Sequence, residues 1–215
     1  MRETLNSIVF GWYPYICVTV FLFGSLFRFD REQYTWRTGS SQLLRRRQLT
    51  WGSNLFHIGI LMIAGGHFVG LLTPIWIFDM LGVSHSFKQM LAIVVGGVAG
   101  LMCLVGISLL THRRLFDPRI RANSSFGDTA ILLLLFAQLL LGLSTIFVSL
   151  GHLDGHEMVK FMSWAQGIVT LQPNAASYVL DVHPIFKAHL VLGMTLFLVF
   201  PFTRLVHMWS APVWY

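Results

Sequence analysis

The segment TWGSNLFHIGILMIAGGHFVGLLTP, which spans Thr50–Pro74, contains no Asp, Glu, Lys or Arg but holds two histidines, His57 and His67. Its length exceeds the ~20 apolar residues that a helix needs to cross a bilayer. An ionisable side chain inside a bilayer is costly and generally marks a functional position with a partner. The two histidines therefore indicate a functional site within a membrane-spanning helix.

A second segment, FKAHLVLGMTLFLVFPFTRLVHMWS (Phe186–Ser210), repeats this pattern with His189 and His207. Imidazole is a common axial ligand of haem iron. Two histidines on each of two helices predict two haems, each clamped by two histidines. For a single histidine the alternative is a buried imidazole bonded to a backbone carbonyl or hydroxyl, but four histidines paired by topology favour ligation.

Composition places the chain among integral membrane proteins. Of its 215 residues, 55% are hydrophobic and 11% are charged, and its mean hydropathy is +0.67. This profile excludes an ordinary soluble domain. Long runs without charge predict an all-α membrane protein, a bundle of five transmembrane helices that forms one domain over residues 1–215. We expect these helices at about residues 8–27, 50–72, 89–111, 128–150 and 185–207.

Basic residues predict the orientation of the bundle. Eleven of the fifteen Lys and Arg residues lie in the loop after the first helix, in the loop after the third, or at the end of the fifth. The positive-inside rule then predicts an N-terminus outside and a C-terminus in the cytoplasm. The net charge of +6 reflects this flanking charge and does not indicate nucleic-acid binding. No cleavable signal peptide is expected, because the first apolar run lacks a basic N-terminal region and a convincing cleavage site.

The spacing of the histidines predicts a bend. Helices two and five are antiparallel, so His57 is level with His207, and His67 is level with His189. At a rise of 1.5 Å per residue, His57 and His67 are separated by about 15 Å along helix two. His189 and His207 are separated by about 27 Å along helix five. We therefore expect a bend or steep tilt in helix five, where Pro201 can kink the helix.

Glycines near the histidines indicate room for a flat ring close to the backbone. These glycines are Gly65, Gly66, Gly70 and Gly193. Two GxxxG-like spacings, Gly66 to Gly70 and Gly96 to Gly100, have helix packing as their alternative role.

Other candidate ligands are weaker. Cys17 and Cys103 fall in apolar helices, where small buried side chains are the ordinary interpretation, and no C-x-x-C-H pattern attaches haem covalently. His183 is nearest to His189 but precedes the expected start of the helix. We also expect a polar loop at residues 28–50, with room for a surface helix, and a short interfacial helix within residues 151–183. The histidines in or beside loops are His85, His112, His152, His156 and His183.

Several stretches together resemble one family. They are NLFHIGIL, GHFVGLLTP, RRLFDPRIRA and KAHLVLGMTLFLVFPFTRLVHMWSAP, with YPYI and DREQYTWRTGSSQLL nearer the N-terminus. From about Tyr13 to Val213 the chain closely resembles the haem b (gamma) subunit of respiratory nitrate reductase. The motifs are specific because they combine the histidine positions with distinctive loop sequences.

The resemblance implies a multi-pass protein of the bacterial inner membrane with a periplasmic N-terminus. It implies oxidation of menaquinol or ubiquinol near the periplasmic side, with electrons passing to an iron–sulfur beta subunit and a molybdenum-containing alpha subunit that reduces nitrate. Members of the family generally carry a longer cytoplasmic tail than the residues that follow His207 in this sequence. The resemblance therefore does not predict how the soluble subunits dock. The implied axial ligands of the two b haems are His57, His67, His189 and His207.

The resemblance also places a quinol-interacting lysine at Lys88, at the outer start of helix three. An ammonium can hold a quinol oxygen and favour its deprotonated form; the alternative is a charged anchor at a helix end. Gly65 and Gly70 are expected to shape the pocket floor. The candidate partners for haem propionates at the cytoplasmic end are Arg113, Arg114 and Arg204.

Two other functions fit part of the pattern. The di-haem anchors of formate dehydrogenases and hydrogenases share the two-haem arrangement but deliver electrons in the opposite direction, and the loop motifs favour nitrate reductase. A small transporter or channel also places histidines in helices, usually with polar residues at mid-membrane or an internal repeat. Asp and Glu are expected only in loops here, so the electron-transfer function is favoured.

Overall fold

The computed structural model describes residues 1–32 and 43–210, and every regular element within them is helical. A π-helical turn, Ile8–Trp12, joins the first two α-helices, and 3₁₀ segments occupy Ala175–Val179, Phe200–Phe202 and Arg204–Ser210. The α-helices are α1 (Arg2–Ser7), α2 (Tyr13–Glu32), α3 (Arg46–Leu72), α4 (Ile75–Met80), α5 (His85–Phe116), α6 (Pro118–Ala122), α7 (Phe126–Ser149), α8 (His156–Val169) and α9 (Pro184–Val199).

Five helices are long and apolar enough to cross a membrane, which confirms the all-α class and the number of spans expected from the sequence. They cover residues 2–32, 46–72, 85–116, 126–149 and 184–202. Most are longer than predicted, because the polar residues that flank each apolar run continue the helix. The side of the membrane on which each terminus lies stays a prediction.

Local capping explains several helix starts. Ser84 accepts a hydrogen bond from the backbone N–H of Phe87 at the start of α5, and Ser125 accepts one from Asp128 at the start of α7. Asp117 caps α6, which begins with a proline at its first position. These side chains bind N–H groups that have no partner within the helix.

The helices pack in the order α3, α5, α7, α9, α2, and the closest pair is α3 with α5. A Cβ atom on Gly106 of α5 would overlap the backbone of Phe56 on α3, so the helices approach as closely as glycine permits. Within the described residues, α3 and α9 are not among the extensively packed pairs. α3, which carries His57 and His67, and α9, which carries His189, therefore face each other across a gap.

The glycine pairs predicted from GxxxG spacing behave differently from one another. Gly100 packs against Leu143 of α7, whereas a Cβ at Gly66, Gly70 or Gly96 would meet nothing within 4 Å. The close packing of α3 on α5 uses other glycines. The Gly66–Gly70 pair therefore does not pack against another helix within the described residues.

The expected fifth helix at residues 185–207 is wrong in its length. The α-helix ends at Val199, and a 3₁₀ turn containing Pro201 follows, with Thr203 in an extended conformation (φ −120°, ψ 176°). His207 lies in the next 3₁₀ segment. Proline removes a helical hydrogen bond and clashes with the preceding turn, which is the physical reason for the break. The expectation of a bend in this helix is confirmed.

A short helix covers the end of the bundle opposite the arginine-rich loops. It is α8, within the region where an interfacial helix was expected. Trp164 donates its indole N–H to the carbonyl of Phe10 in the π-helical turn, and Gln166 donates to the carbonyls of Leu71 and Thr73 at the C-terminal end of α3. The polar loop expected at residues 28–50 is shorter than predicted, because α2 continues to Glu32 and α3 begins at Arg46. Residues 33–42 lie outside the described residues, so a surface helix there stays a prediction.

Candidate functional site

The four histidines that the sequence singled out form two pairs across the gap between α3 and the segment formed by α9 and the 3₁₀ turns after it. The ring centroids of His57 and His207 are 6.2 Å apart, with ring planes at 76°. The centroids of His67 and His189 are also 6.2 Å apart, at 44°. These are the pairings that antiparallel topology predicts. The structure thus brings together the residues that the sequence singled out, while their role as ligands stays a prediction.

Three of the rings have one nitrogen committed to a backbone carbonyl. The Nδ1 atoms of His57, His67 and His207 lie 2.7, 2.8 and 2.6 Å from the carbonyl oxygens of Ser53, Ile63 and Arg204. A carbonyl only accepts, so Nδ1 must carry the proton in each ring. Each Nε2 then keeps a lone pair, which is the tautomer that a metal-binding histidine uses.

His189 is held differently from the other three. Its Nδ1 is buried and has no hydrogen-bond partner among the described residues. Gln138 of α7 donates to the His189 backbone carbonyl at 3.1 Å, and the Gln138 amide nitrogen lies 3.5 Å from the ring Nε2. Buried polar atoms are rarely left without a partner. The unsatisfied ring nitrogen fits a site that binds a further group.

The ring separation fits one metal ion between the two imidazoles of each pair. An imidazole–metal bond is about 2.0–2.1 Å in zinc sites. A ring nitrogen lies about 1.1 Å from its centroid when ring bonds are about 1.33 Å. Two imidazoles on opposite sides of one metal therefore have centroids about 6.3 Å apart. Both observed separations, 6.2 Å, agree with this geometry.

The donor set restricts the kind of metal that these histidine pairs could bind. Among residues 1–32 and 43–210 there is no group of three or more His, Cys, Asp or Glu side chains that could hold a metal. Two imidazoles alone leave most coordination positions unfilled. Haem iron suits such a site, because the porphyrin supplies the remaining ligands and the protein supplies the axial ones.

Glycines on two helices make room beside the pair formed by His67 and His189. A Cβ on Gly142 of α7 would lie 3.0 Å from Cε1 of His189, so the ring packs against bare backbone. A Cβ on Gly193 would lie 3.1 Å from the amide nitrogen of Gln138, so this glycine makes room for Gln138 rather than for the His189 ring. The surroundings of Gly65 and Gly70 are open to 4 Å, as the prediction of a pocket floor requires.

An ion network lies beside the pair formed by His57 and His207. Asp128 at the start of α7 is 3.3 Å from Nε of Arg204 and 3.7 Å from Nη1 of Arg114. The backbone carbonyl of the same Arg204 orients the His207 ring. Arg113, in contrast, is buried and donates to the carbonyl of Leu44 at 2.8 Å. Arg114 and Arg204 are therefore better placed than Arg113 to face an anionic group at this end.

Lys88 lies at the opposite end of the bundle and is only 6% exposed. Its Nζ is 2.7 Å from Sδ of Met162 and 3.6 Å above the ring of Phe78. Neither neighbour carries a negative charge, and a thioether is a weak acceptor. A buried ammonium in such surroundings can bind an oxygen anion or a polar oxygen of a ligand. This placement argues against a simple solvated anchor at a helix end.

The weaker candidates have ordinary structural roles. Cys17 and Cys103 are both fully buried and unpaired, as small core side chains. His183 caps α9 by accepting from the N–H of Ile185. The other histidines that were expected in or beside loops contact a carboxylate, a carbonyl or a glutamine; these are His85, His112, His152 and His156. The structure places His85 and His112 in α5 and His156 at the start of α8.

Sequence reasoning missed several residues that shape the site. Gln138 and Gly142, one turn apart on α7, contact His189 and could have been found as a polar and a small residue on one face of an apolar helix. Asp128 lies in the first turn of α7, so the expectation that Asp and Glu occupy only loops is wrong at this position. Met162 gave no signal, because a methionine in an apolar stretch is typical of any core.

Comparison with known proteins gives a consistent result over nearly the whole chain. The family described as nitrate reductase gamma subunit matches residues 6–215. The chain is 52% identical to the respiratory nitrate reductase 1 gamma chain of Escherichia coli, over 99% of this chain and 94% of the relative. It is 49% identical to the respiratory nitrate reductase 2 gamma chain of the same organism, over 100% and 95%. Identity to the nitrate reductase gamma chain of Bacillus subtilis is 38%, over 98% and 94%.

Proposed function

Because this chain belongs to the nitrate reductase gamma subunit family, we propose that it oxidises quinol near the periplasmic face and passes electrons through two b haems. Their destination is a cytoplasmic iron–sulfur beta subunit and, beyond it, a molybdenum-containing alpha subunit that reduces nitrate. The quinol is menaquinol or ubiquinol. The observation that carries the proposal is the presence of two imidazole pairs with equal ring separation, one toward each end of a membrane-spanning bundle.

In this proposal each histidine pair holds one haem, His67 with His189 on the outer side and His57 with His207 on the inner side. The bound haems supply one-electron redox centres at two depths of the membrane. The protein contributes orientation: three backbone carbonyls fix the rings by accepting from Nδ1. Ring orientation and hydrogen bonds to the ligating rings are among the means by which a protein tunes haem potential.

The proposed role of Lys88 is to hold a quinol oxygen. Its buried ammonium faces a thioether and an aromatic ring, so a quinol hydroxyl that loses its proton gains a positive partner there. The open surface at Gly65 and Gly70 supports a place for a flat ligand near His67. The role of Gly193 in this scheme is indirect: it makes room for Gln138, and Gln138 contacts His189.

Charge separation gives the arrangement a physiological purpose. Quinol oxidised on the outer side releases its protons there, while the electrons leave on the inner side. Moving one elementary charge across the bilayer corresponds to about 2.3 kcal/mol for each 100 mV. The arginine-rich end, with Arg114 and Arg204 beside the inner pair, is the end we assign to the propionates and to the cytoplasmic partners.

Haem content of histidine variants tests the proposal. A pyridine haemochrome assay should give two b haems per wild-type chain and one haem in each single alanine variant of the four histidines. His57→Ala combined with His207→Ala should still retain one haem, since both residues serve the same site. His57→Ala combined with His67→Ala should retain none. The exposed His156 provides the control, and His156→Ala should keep two.

Two results would contradict the proposal. A folded wild-type chain without haem would remove the electron-transfer function and favour a transporter. Single variants that all retain two haems would remove these histidines as ligands.

A further inference from the structure

The segment that carries His207 is anchored by α2, a helix that contributes no histidine to either pair. α9 ends at Val199, and the following residues form 3₁₀ turns around an extended Thr203. Such a break releases backbone carbonyls from the helical hydrogen-bond ladder. Within a bilayer those carbonyls need donors from elsewhere in the protein.

Arg28 of α2 supplies a donor at this break. Its Nη1 donates to the carbonyl oxygens of Pro201 at 2.7 Å and Thr203 at 2.9 Å. Hydrogen bonds from a charged donor are stronger than those between neutral groups. The bonded residues are 173 and 175 positions apart in the chain. The interaction therefore holds the chain that follows α9 against α2.

Gly24 lies one turn before Arg28, on the same face of α2. A Cβ atom there would be 2.8 Å from Cγ of the fully buried Pro201, so only glycine lets the proline ring reach this position. On the same helix, the ring of Phe21 packs edge-on against Phe200 with centroids 4.8 Å apart. α2 thus presents a socket of matching shape and a charged donor to the break.

The orientation of the His207 ring depends on this anchored segment. Nδ1 of His207 donates to the carbonyl of Arg204 at 2.6 Å. Arg204 directly follows Thr203, whose own carbonyl is held by Arg28. Displacement of Thr203 therefore moves the acceptor that orients the ring.

We propose that Arg28, seated by the contact between Gly24 and Pro201, is the positioning residue that holds His207 in the geometry needed to bind the inner haem. The inference rests on the proposed function, since it assumes that His207 is an axial ligand. It adds a role for a residue that a sequence interpretation explains as a topology signal alone. It also assigns α2 a function in the haem site.

Spectroscopy of three arginine variants in the full chain, kept in membranes, tests the inference. Arg28→Gln removes the charge and shortens the donor; Arg28→Lys keeps an ammonium that can donate to both carbonyls. Arg31→Gln is the matched control, because it removes an equal charge from the same helix end at a residue whose side chain is 69% exposed. Haem content, the low-spin electron paramagnetic resonance signals and a redox titration are measured for each variant.

We expect Arg28→Gln to lose the inner haem, or to shift its low-spin signal and midpoint potential, while the outer haem stays unchanged. Arg28→Lys should recover most of the wild-type signal, and Arg31→Gln should match wild type. Wild-type signals from both haems in Arg28→Gln would overturn the inference. Equal damage to both haems would also overturn it, since that result indicates a general loss of structure.

Two further variants complete the design. Gly24→Val keeps the arginine but fills the space of Pro201, and it should alter the inner haem selectively. This variant decides the question if the Arg28→Gln protein does not accumulate in the membrane: two unaltered haems in Gly24→Val would then overturn the inference. His207→Ala separates the two proposals. If it retains both haems, the proposed ligand assignment fails; if it loses one haem while Arg28→Gln is unaffected, only the positioning role of Arg28 fails.

Discussion

Gly59 of α3 and Cys103 of α5 meet backbone to backbone. A Cβ on Gly59 would lie 2.8 Å from both the nitrogen and the Cβ of Cys103, and 2.7 Å from the carbonyl oxygen of Ala99. This contact brings one face of α3 against α5, while His57 and His67 on α3 remain exposed. Close packing through small residues is the usual way in which membrane helices associate.

The first prediction concerns this packing. Gly59→Val should destabilise the bundle by about 1–3 kcal/mol, because the added atoms overlap backbone that cannot yield. The measurement is the unfolding midpoint in mixed detergent micelles. Gly96→Ala is the control, since its surroundings are open to 4 Å, and it should leave the midpoint close to wild type. Equal midpoints for both variants would show that the contact at Gly59 does not contribute to the stability of the bundle.

A second prediction concerns Lys88. Lys88→Met keeps the length of the side chain but removes the ammonium, so quinol-driven haem reduction should fall about 10- to 100-fold, the equivalent of a lost charged hydrogen bond of about 1.5–3 kcal/mol. Both haems should remain bound, as shown by the pyridine haemochrome assay. Lys160→Met, which removes a lysine paired with Glu157 on α8, is the control. Unchanged reduction kinetics in Lys88→Met would exclude Lys88 from the quinol site.

The third prediction uses the carboxylate between two arginines. Asp128→Asn should raise the midpoint potential of the inner haem, because loss of a negative charge beside Arg114 and Arg204 favours the reduced, less positive iron. The outer haem is at the other histidine pair and should keep its potential. Redox titration with separate optical components for the two haems measures both. An equal rise at both haems, or none, would argue against an inner site beside Asp128.

The fourth prediction is a dependence of stability on pH. A hydrogen bond from Arg45 at 2.6 Å, together with backbone N–H donors of Ile120 and Arg119, lowers the pKa of Asp117 below its usual range. A carboxyl whose pKa is lower in the folded state stabilises the protein above its unfolded pKa of about 3.9. That stabilisation is lost as the pH falls through the lowered folded pKa.

Asp117→Asn should therefore be less stable than wild type at pH 7, and the difference should shrink below about pH 4. Unfolding midpoints measured across this range test the expectation. Asp30→Asn, which removes a carboxylate that is 77% exposed, should track wild type at every pH. A constant difference between Asp117→Asn and wild type across the range would show that titration of this carboxyl is not the cause.

Much of the architecture follows from local properties of the chain. Uncharged runs of more than twenty residues predict four of the membrane spans, and the fifth lies between Lys187 and Arg204, where the uncharged run is shorter. The structure has five helices that are long and apolar enough to cross a membrane. The cost of a histidine in hydrocarbon singles out the four intramembrane histidines in the same way. Antiparallel order then predicts which of them face each other, since each short connection reverses the direction of the chain.

Other features depend on contacts between distant segments, which no periodicity reports. Pro201 predicts that helix five bends, but the socket formed by Gly24 and Arg28 determines where the chain goes after the bend. The gap between α3 and α9 arises because α3 packs on α5 instead. Hydropathy and helical periodicity are properties of a single stretch of sequence. The close packing of a glycine against a proline, or a hydrogen bond from an arginine to a distant carbonyl, exists only once the helices are assembled.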